Sequence, residues 1–185
     1  MSPGPEQRLE GFRQYLALLA RLQVDPKLQA KVDLSGVVQQ TLLEAYQSLQ
    51  KIDGWNEAQQ AAWLRQALAN NLKDELRRWR TEARDVGREQ SLQAALDQSS
   101  TRLEAWLAAN QSSPSQRVDR QEQAVRLADA LARLPEAQRE ALVLQHWHGW
   151  SLVQIAEHLG RTPAAVAGLL HRGLGQLREH LQESE

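Results

Sequence analysis

Apolar residues recur every three or four positions along most of this chain, and nowhere do they alternate strictly with polar ones. That spacing lays one apolar stripe along each of a series of helices, whereas alternation would place strands. The first stripe, Leu9, Phe12, Leu16, Leu19 and Leu22, predicts a helix over 9–22 that Pro26 ends. A second helix is predicted from Asp33, a good N-cap, to Leu49, with Val37, Val38, Leu42, Ala45, Tyr46 and Leu49 inward. Asp53-Gly54 breaks the pattern and makes a loop through Glu57. A long third helix over 58–84 follows, burying Ala62, Trp63, Leu68, Leu72, Leu76 and Trp79.

From Gly87 to Ser115 the pattern weakens. A helix is predicted around Ser91–Leu107, then Asn110-Gln111-Ser112-Ser113-Pro114-Ser115 has turn chemistry, so the stretch reads as a linker containing some helix. Helices resume over 117–133 and 136–146, with Pro135 at the first position of the latter, and His148-Gly149-Trp150 turns the chain. Ser151 then caps a short helix carrying Val153, Ile155, Ala156 and Leu159. Gly160 suits a left-handed turn, Thr162 caps a second helix and Pro163 takes its first position. Val166, Leu169, Leu170, Leu174 and Leu177 supply that helix's buried stripe. Helix, tight turn and capped helix are the arrangement of a helix-turn-helix, whose second helix lies in a DNA major groove. A plain helical hairpin in a bundle is the other reading of the same spacing.

Composition narrows the field. At 185 residues, 42% hydrophobic and 24% charged, the chain has room for two small globular domains. The absence of cysteine removes disulfides, thiolate metal sites and cysteine nucleophiles, and fits a cytoplasmic protein. No apolar run reaches membrane-spanning length and the N-terminus lacks an apolar signal core. The five histidines are not set beside carboxylates at metal-ligand spacing, no serine has a histidine and an acid arranged around it, and no glycine-rich phosphate loop follows a strand. Neither a metal nor another cofactor is expected, nor catalysis. The net charge of −1 is low for a nucleic-acid reader, but the cations are grouped. They fall at Arg77-Arg78-Trp79-Arg80 with Arg84 and Arg88, and at Arg161, His171, Arg172 and Arg178. Weak overall charge implies poor DNA binding alone, or a partner that supplies affinity.

Leu134-Pro135, Gln138-Arg139-Glu140, Trp150-Ser151-Leu152, Ile155-Ala156, Leu159-Gly160, Val166 and His171-Arg172-Gly173-Leu174 then fall in one order. That segment resembles region 4 of bacterial RNA polymerase sigma factors of the extracytoplasmic-function (ECF) type. The N-terminal half agrees: Asp33-Leu34-Ser35-Gly36-Val37-Val38-Gln39-Gln40-Thr41 resembles the family's Asp-x-x-Asp-Leu-Val-Gln-Glu-Thr helix of region 2. Trp63-Leu64-Arg65, Ala69-Asn70-Asn71-Leu72, Asp74 and Arg77-Arg78 resemble a further region 2 stretch.

The resemblance implies an all-α fold of two small helical domains, a region 2 bundle over 1–88 and a region 4 helix-turn-helix over 119–185, joined by a linker over 89–118. It implies a sigma factor that directs core RNA polymerase to promoters and assists melting. Its implied partners are the clamp of the largest polymerase subunit, the flap of the second-largest, and promoter DNA. The docking helix would carry Asp33, Val37, Val38, Gln39, Gln40 and Thr41, and is also where an anti-sigma factor would act. Trp55 and Asn56 would catch a base flipped out of the −10 element, although Trp55 reads equally well as a half-buried loop aromatic. Asn70, Asn71, Arg77, Arg78 and Arg80 would touch promoter DNA near the melted junction, or else form a solvated charged face with Asp74, Glu75 and Glu82. The −35 element would meet Arg161, Thr162, Pro163, Ala164, Ala165, His171 and Arg172.

The chain departs from the family at informative places. Gly36 stands where an acid is usual and Gln40 where Glu is usual. Val166-Ala167-Gly168-Leu169 replaces Val-Lys-Ser-Arg, which removes two cations from the groove-facing helix. Two alternatives therefore remain open at the level of sequence: a stand-alone helix-turn-helix regulator, and a sigma-like adaptor without DNA recognition.

Overall fold

The structure, a computed structural model, describes residues 4–52, 54–79, 91–110 and 120–183, and among these every regular element is helical. The helices are α1 Pro5–Glu10, α2 Arg13–Gln23, α3 Leu34–Gln47, α4 Leu49–Ile52, α5 Glu57–Trp79, α6 Ser91–Asn110, α7 Arg120–Ala132, α8 Glu136–His146, α9 Leu152–Leu159 and α10 Pro163–Glu183. The chain divides into two compact units, Met1–Val125 and Arg126–Glu185. Among the described residues no helix is long and apolar enough to cross a membrane.

In the first unit α2, α3 and α5 pack on one another. Tyr15, Leu16 and Leu19 of α2, Leu42 and Ala45 of α3, and Leu64, Leu68 and Leu72 of α5 are buried together in its core. The inward face of α5 is not the one expected from sequence. Ala61, Leu64, Leu68 and Leu72 face the core, whereas Ala62 is exposed and Trp63 and Leu76 are only half-buried. The stripe is rotated by about one position because Leu64 and Ala61, not the bulkier Trp63, meet the neighbouring helices. Trp79 carries a side chain outside the described set.

The segment read from sequence as linker also differs. Its helix α6 packs on α2 and α5, burying Leu96, Leu103 and Leu107. Polar groups register it: Tyr15 donates to Ser100 Oγ at 2.9 Å, Gln23 Nε2 to Ser99 Oγ at 2.9 Å, and Arg65 Nε to Asp97 Oδ1 at 2.6 Å. The apolar positions 96, 103 and 107 keep helical spacing, but serines and glutamines between them disguise the stripe. Residues 80–90 and 111–119, including Arg80, Arg84, Arg88 and the Ser-Pro-Ser turn, lie outside the described residues.

In the second unit α10 packs against α8 and α9. Leu142, Ile155 and Val166 form the centre, and Gly173 sits where α10 crosses α8. A Cβ at Gly173 would stand 3.1 Å from Leu142 Cδ1 and 3.3 Å from the Cβ of Gln138. Gly173→Ala should therefore cost about 1–3 kcal/mol through overpacking, despite alanine's better helix propensity. Urea unfolding of the purified protein measures this, and a stabilised variant would show that the two helices have slack.

Three details of the expected pattern shift here. Leu174 is half-buried while Gly173 takes the inner position, and Val153 is 56% exposed. Pro135 is the residue before α8 rather than its first member, with an extended backbone at φ −51 and ψ 139.

Candidate nucleic-acid interface

The turn between α9 and α10 is built from local chemistry. Ser151 Oγ accepts from the Gln154 backbone N–H at 3.3 Å, while Gln154 Oε1 accepts from the Ser151 N–H at 2.9 Å. This reciprocal cap satisfies two donors that the first turn leaves open. Gly160 closes α9 at φ 61 and ψ 38, a left-handed conformation that a Cβ disfavours, and the Arg161 N–H returns to the Ala156 carbonyl at 2.9 Å. Thr162 Oγ1 then accepts from the Ala165 N–H at 3.2 Å and starts α10. Pro163 is the first residue of that helix, where no N–H is needed.

Arg161, Thr162, Pro163, Ala164, Ala165, His171 and Arg172 are all exposed: Arg161 and Thr162 lie in the turn before α10, and His171 and Arg172 stand away from its buried Val166, Leu169, Leu170, Gly173 and Leu177. Among the described residues no carboxylate pairs with Arg161 or Arg172. Arg178 is also exposed on α10. A helix with a closed core face and unneutralised cations on the other suits a groove lined with phosphates.

Behind that face the unit is tied together by polar and aromatic contacts. His158 Nε2 lies 3.1 Å from Glu140 Oε1, and the His158 ring stands edge-on to Trp150 with centroids 5.2 Å apart. His146, at the end of α8, is half-buried, and burial holds its pKa below the ordinary 6.5. Its contribution is fully present above about pH 6.5, where folded and unfolded chains both carry neutral imidazole. As pH falls below that value the unfolded chain takes a proton that the folded chain resists, so stability declines until the folded-state pKa is passed. His146→Gln should flatten that part of the profile, tested by urea unfolding of both proteins at pH 7.5 and 5.5. An unchanged slope would exonerate His146.

The α5 side is more mixed. Trp55 is 39% exposed in the loop before α5, free to offer a ring face. Asn56 is not: its Oδ1 accepts from the Gln59 N–H at 2.9 Å, and Gln59 Oε1 accepts from the Asn56 N–H at 3.0 Å. Asn56 thus caps the start of α5. Asn71 is likewise turned inward, its Nδ2 donating to Thr41 Oγ1 at 3.2 Å and joining α5 to α3. Asn70, Arg77 and Arg78 are exposed, with Arg78 Nη1 3.2 Å from Glu75 Oε2 and Arg77 Nη1 3.8 Å from Asp74 Oδ1. The Arg77–Asp74 pair is exposed on both sides, so it is weak and can yield to a phosphate, whereas Glu75 is mostly buried. Arg80 lies outside the described residues.

On α3 the expected docking set splits in two. Val37, Val38 and Thr41 are buried in the unit's own core, with Thr41 Oγ1 donating to the Val37 carbonyl at 2.8 Å, so their side chains do not form an outer surface. Asp33 Oδ1 caps the helix by accepting from the Gly36 N–H at 2.8 Å. A Cβ at Gly36 would fall 2.3 Å from Asp33 Oδ2, so any other residue there would require the capping carboxylate to shift. Gln39 and Gln40 remain exposed, and beside them Leu43, 48% exposed, was not singled out from sequence. Its spacing of four from Gln39 was the available signal. Among the described residues no group of three or more His, Cys, Asp or Glu could hold a metal ion.

Comparison with known proteins matches residues 124–177 to the family described as Sigma-70, region 4. The chain is 33% identical over 147 residues to the ECF RNA polymerase sigma factor SigL of Mycobacterium tuberculosis, covering 80% of this chain and 73% of that protein. It is 34% identical over 123 residues to the RNA polymerase sigma factor CarQ of Myxococcus xanthus, covering 66% of this chain and 61% of that one. Against the RNA polymerase sigma-E factor of Streptomyces antibioticus it is 41% identical over 56 residues, covering 30% and 31%.

Proposed function

We propose that this chain, which belongs to the ECF RNA polymerase sigma factors and so directs core RNA polymerase to promoters to initiate transcription, divides its contacts between its two helical units. The second unit meets the −35 element with α10. The first unit docks on the clamp of the largest polymerase subunit through the outer face of α3, where Gln39, Gln40 and Leu43 are exposed. It reads the −10 element with Trp55, and Asn70, Arg77 and Arg78 contact the backbone nearby. The flap of the second-largest subunit holds the second unit in place.

In this division α6 belongs with the first unit, so the connection between the promoter contacts is shorter than 89–118. The exposed α3 face is also where an anti-sigma factor would compete with polymerase. Melting follows from binding energy gained on unstacked bases, Trp55 offering a stacking face, and no covalent step is assigned to the chain. Its place of action is the cytoplasm, with polymerase and promoter.

The observation that carries this reading is the exposed cationic side of α10, set on a closed core face behind a capped turn. Reconstitution with core polymerase tests it. The expected result is a stable complex and promoter-directed transcription, with weak DNA binding by the free chain. Failure to bind core polymerase would overturn the reading. Tight sequence-specific binding without polymerase would favour an autonomous regulator instead.

A further inference from the structure

We propose that Gly168 sets the sequence preference of α10 by positioning Arg172. The inference rests on α10 being the −35 helix and asks how a helix with Ala167-Gly168 in place of the usual cation and serine can read bases at all.

Gly168 and Arg172 are four residues apart and share the side of α10 opposite its buried stripe. A helical side chain leans over the turn N-terminal to its own Cα. Here the lean brings the guanidinium across position 168: a Cβ built on Gly168 would meet Arg172 Nη1 at 3.2 Å, Nη2 at 3.7 Å and Cζ at 3.8 Å. Among the described residues no hydrogen bond or ion pair holds the guanidinium there. Its placement depends on the space that the missing side chain leaves.

Nothing in the backbone asks for glycine at this point. Among the described residues the positive-φ glycines are Gly149 and Gly160, while Gly168 lies inside α10, where glycine weakens a helix relative to alanine. Nor does core packing ask for it, in contrast to Gly173, whose missing Cβ lets α10 approach Leu142. What the glycine makes room for is the arginine.

The consequence is a transfer of charge along the helix. Four residues of rise move the guanidinium about 6 Å toward the N-terminal end, the part of a recognition helix that meets base edges. The fork of two N–H donors matches the N7 and O6 acceptors of guanine in the major groove. Arg172 thereby stands in for a base-reading side chain at 168, and its target is a guanine of the −35 element.

Holoenzyme made from the full chain and core polymerase, transcribing a promoter library randomised through the −35 element, tests this. Four proteins are compared: the parent, Arg172→Ala, Gly168→Leu and the double variant. The parent should prefer guanine at one position by about tenfold to a hundredfold, and Arg172→Ala should abolish that preference. Gly168→Leu should reduce it at least about fivefold at the same position, with other positions unchanged and thermal stability equal or higher, since leucine is the better helix former. Added to Arg172→Ala, it should change nothing further at that position.

A Gly168→Leu profile that keeps the full guanine preference would overturn the role of Gly168 and leave α10 on the −35 element. Losses that simply add in the double variant would overturn it too. An Arg172→Ala profile identical to the parent would instead sink the assignment of α10 to the −35 element through Arg172, and this inference with it.

Discussion

Reversing the charge of Arg161 and Arg172 together should cut transcription from a promoter with a cognate −35 element about a hundredfold. Each cation, Arg161 in the turn before α10 and Arg172 on the helix, is exposed and unneutralised and stands to lose a charge-assisted contact worth about 1–2 kcal/mol. Two such losses, at 1.4 kcal/mol per factor of ten, give that magnitude before the repulsion of new carboxylates by phosphate is counted. The salt dependence of promoter binding should also become shallower, because positive charge is removed from the surface that faces DNA. The Arg161→Glu/Arg172→Glu protein should still form a complex with core polymerase, because α10 keeps its buried face. Measured by run-off transcription beside a polymerase-binding assay, near-normal output from the variant would take α10 off the DNA.

The second large effect is on folding. Leu68 is fully buried where α5 meets its neighbours in the first unit. Its truncation to alanine should cost about 2–5 kcal/mol, the sum of lost transfer free energy and an unfilled cavity. Chemical denaturation followed by circular dichroism measures it. A loss below about 1 kcal/mol would mean that α3 and α5 close over the gap. The same substitution should weaken polymerase binding, because α3 is held in register on α5 partly by the Asn71 to Thr41 hydrogen bond. Asn71→Ala, by contrast, removes only that one bond and leaves the leucines in place.

The features of this protein legible in its sequence share one property: they depend on residues close together along the chain. The cap at Ser151, the left-handed turn at Gly160 and the start at Thr162-Pro163 each involve groups within about four positions, and each was read correctly. The division into helices follows for the same reason, since a hydrophobic stripe is a local period. Two motifs in the right order were enough to point to the ECF sigma factors, to which the relatives over 80% of the chain also point.

Features that depend on distant partners are less legible. Ala62 and Trp63 were turned inward because a large aromatic attracts the assignment of a core face, yet a rotation of one residue barely alters the local period. Asn56 and Asn71 have base-reading chemistry, but the structure spends one on capping α5 and the other on holding α3. Val37, Val38 and Thr41 matched a docking motif and are buried beneath the surface that motif presents. The helix α6 was given to a linker because its apolar positions are diluted by serine and glutamine.

By itself, then, the sequence determined the helical elements, their caps, the helix-turn-helix and the family, because those are settled by short-range sterics and hydrogen bonding. Only the tertiary structure decided which side of α5 faces the core, that α6 packs on α2 and α5, and which polar side chains are left exposed. Those outcomes turn on partners dozens of residues away, such as Tyr15 with Ser100 and Arg65 with Asp97. The placement of Arg172 over Gly168 lies between the two: the spacing of four is in the sequence, but the direction of the guanidinium is a fact of three dimensions.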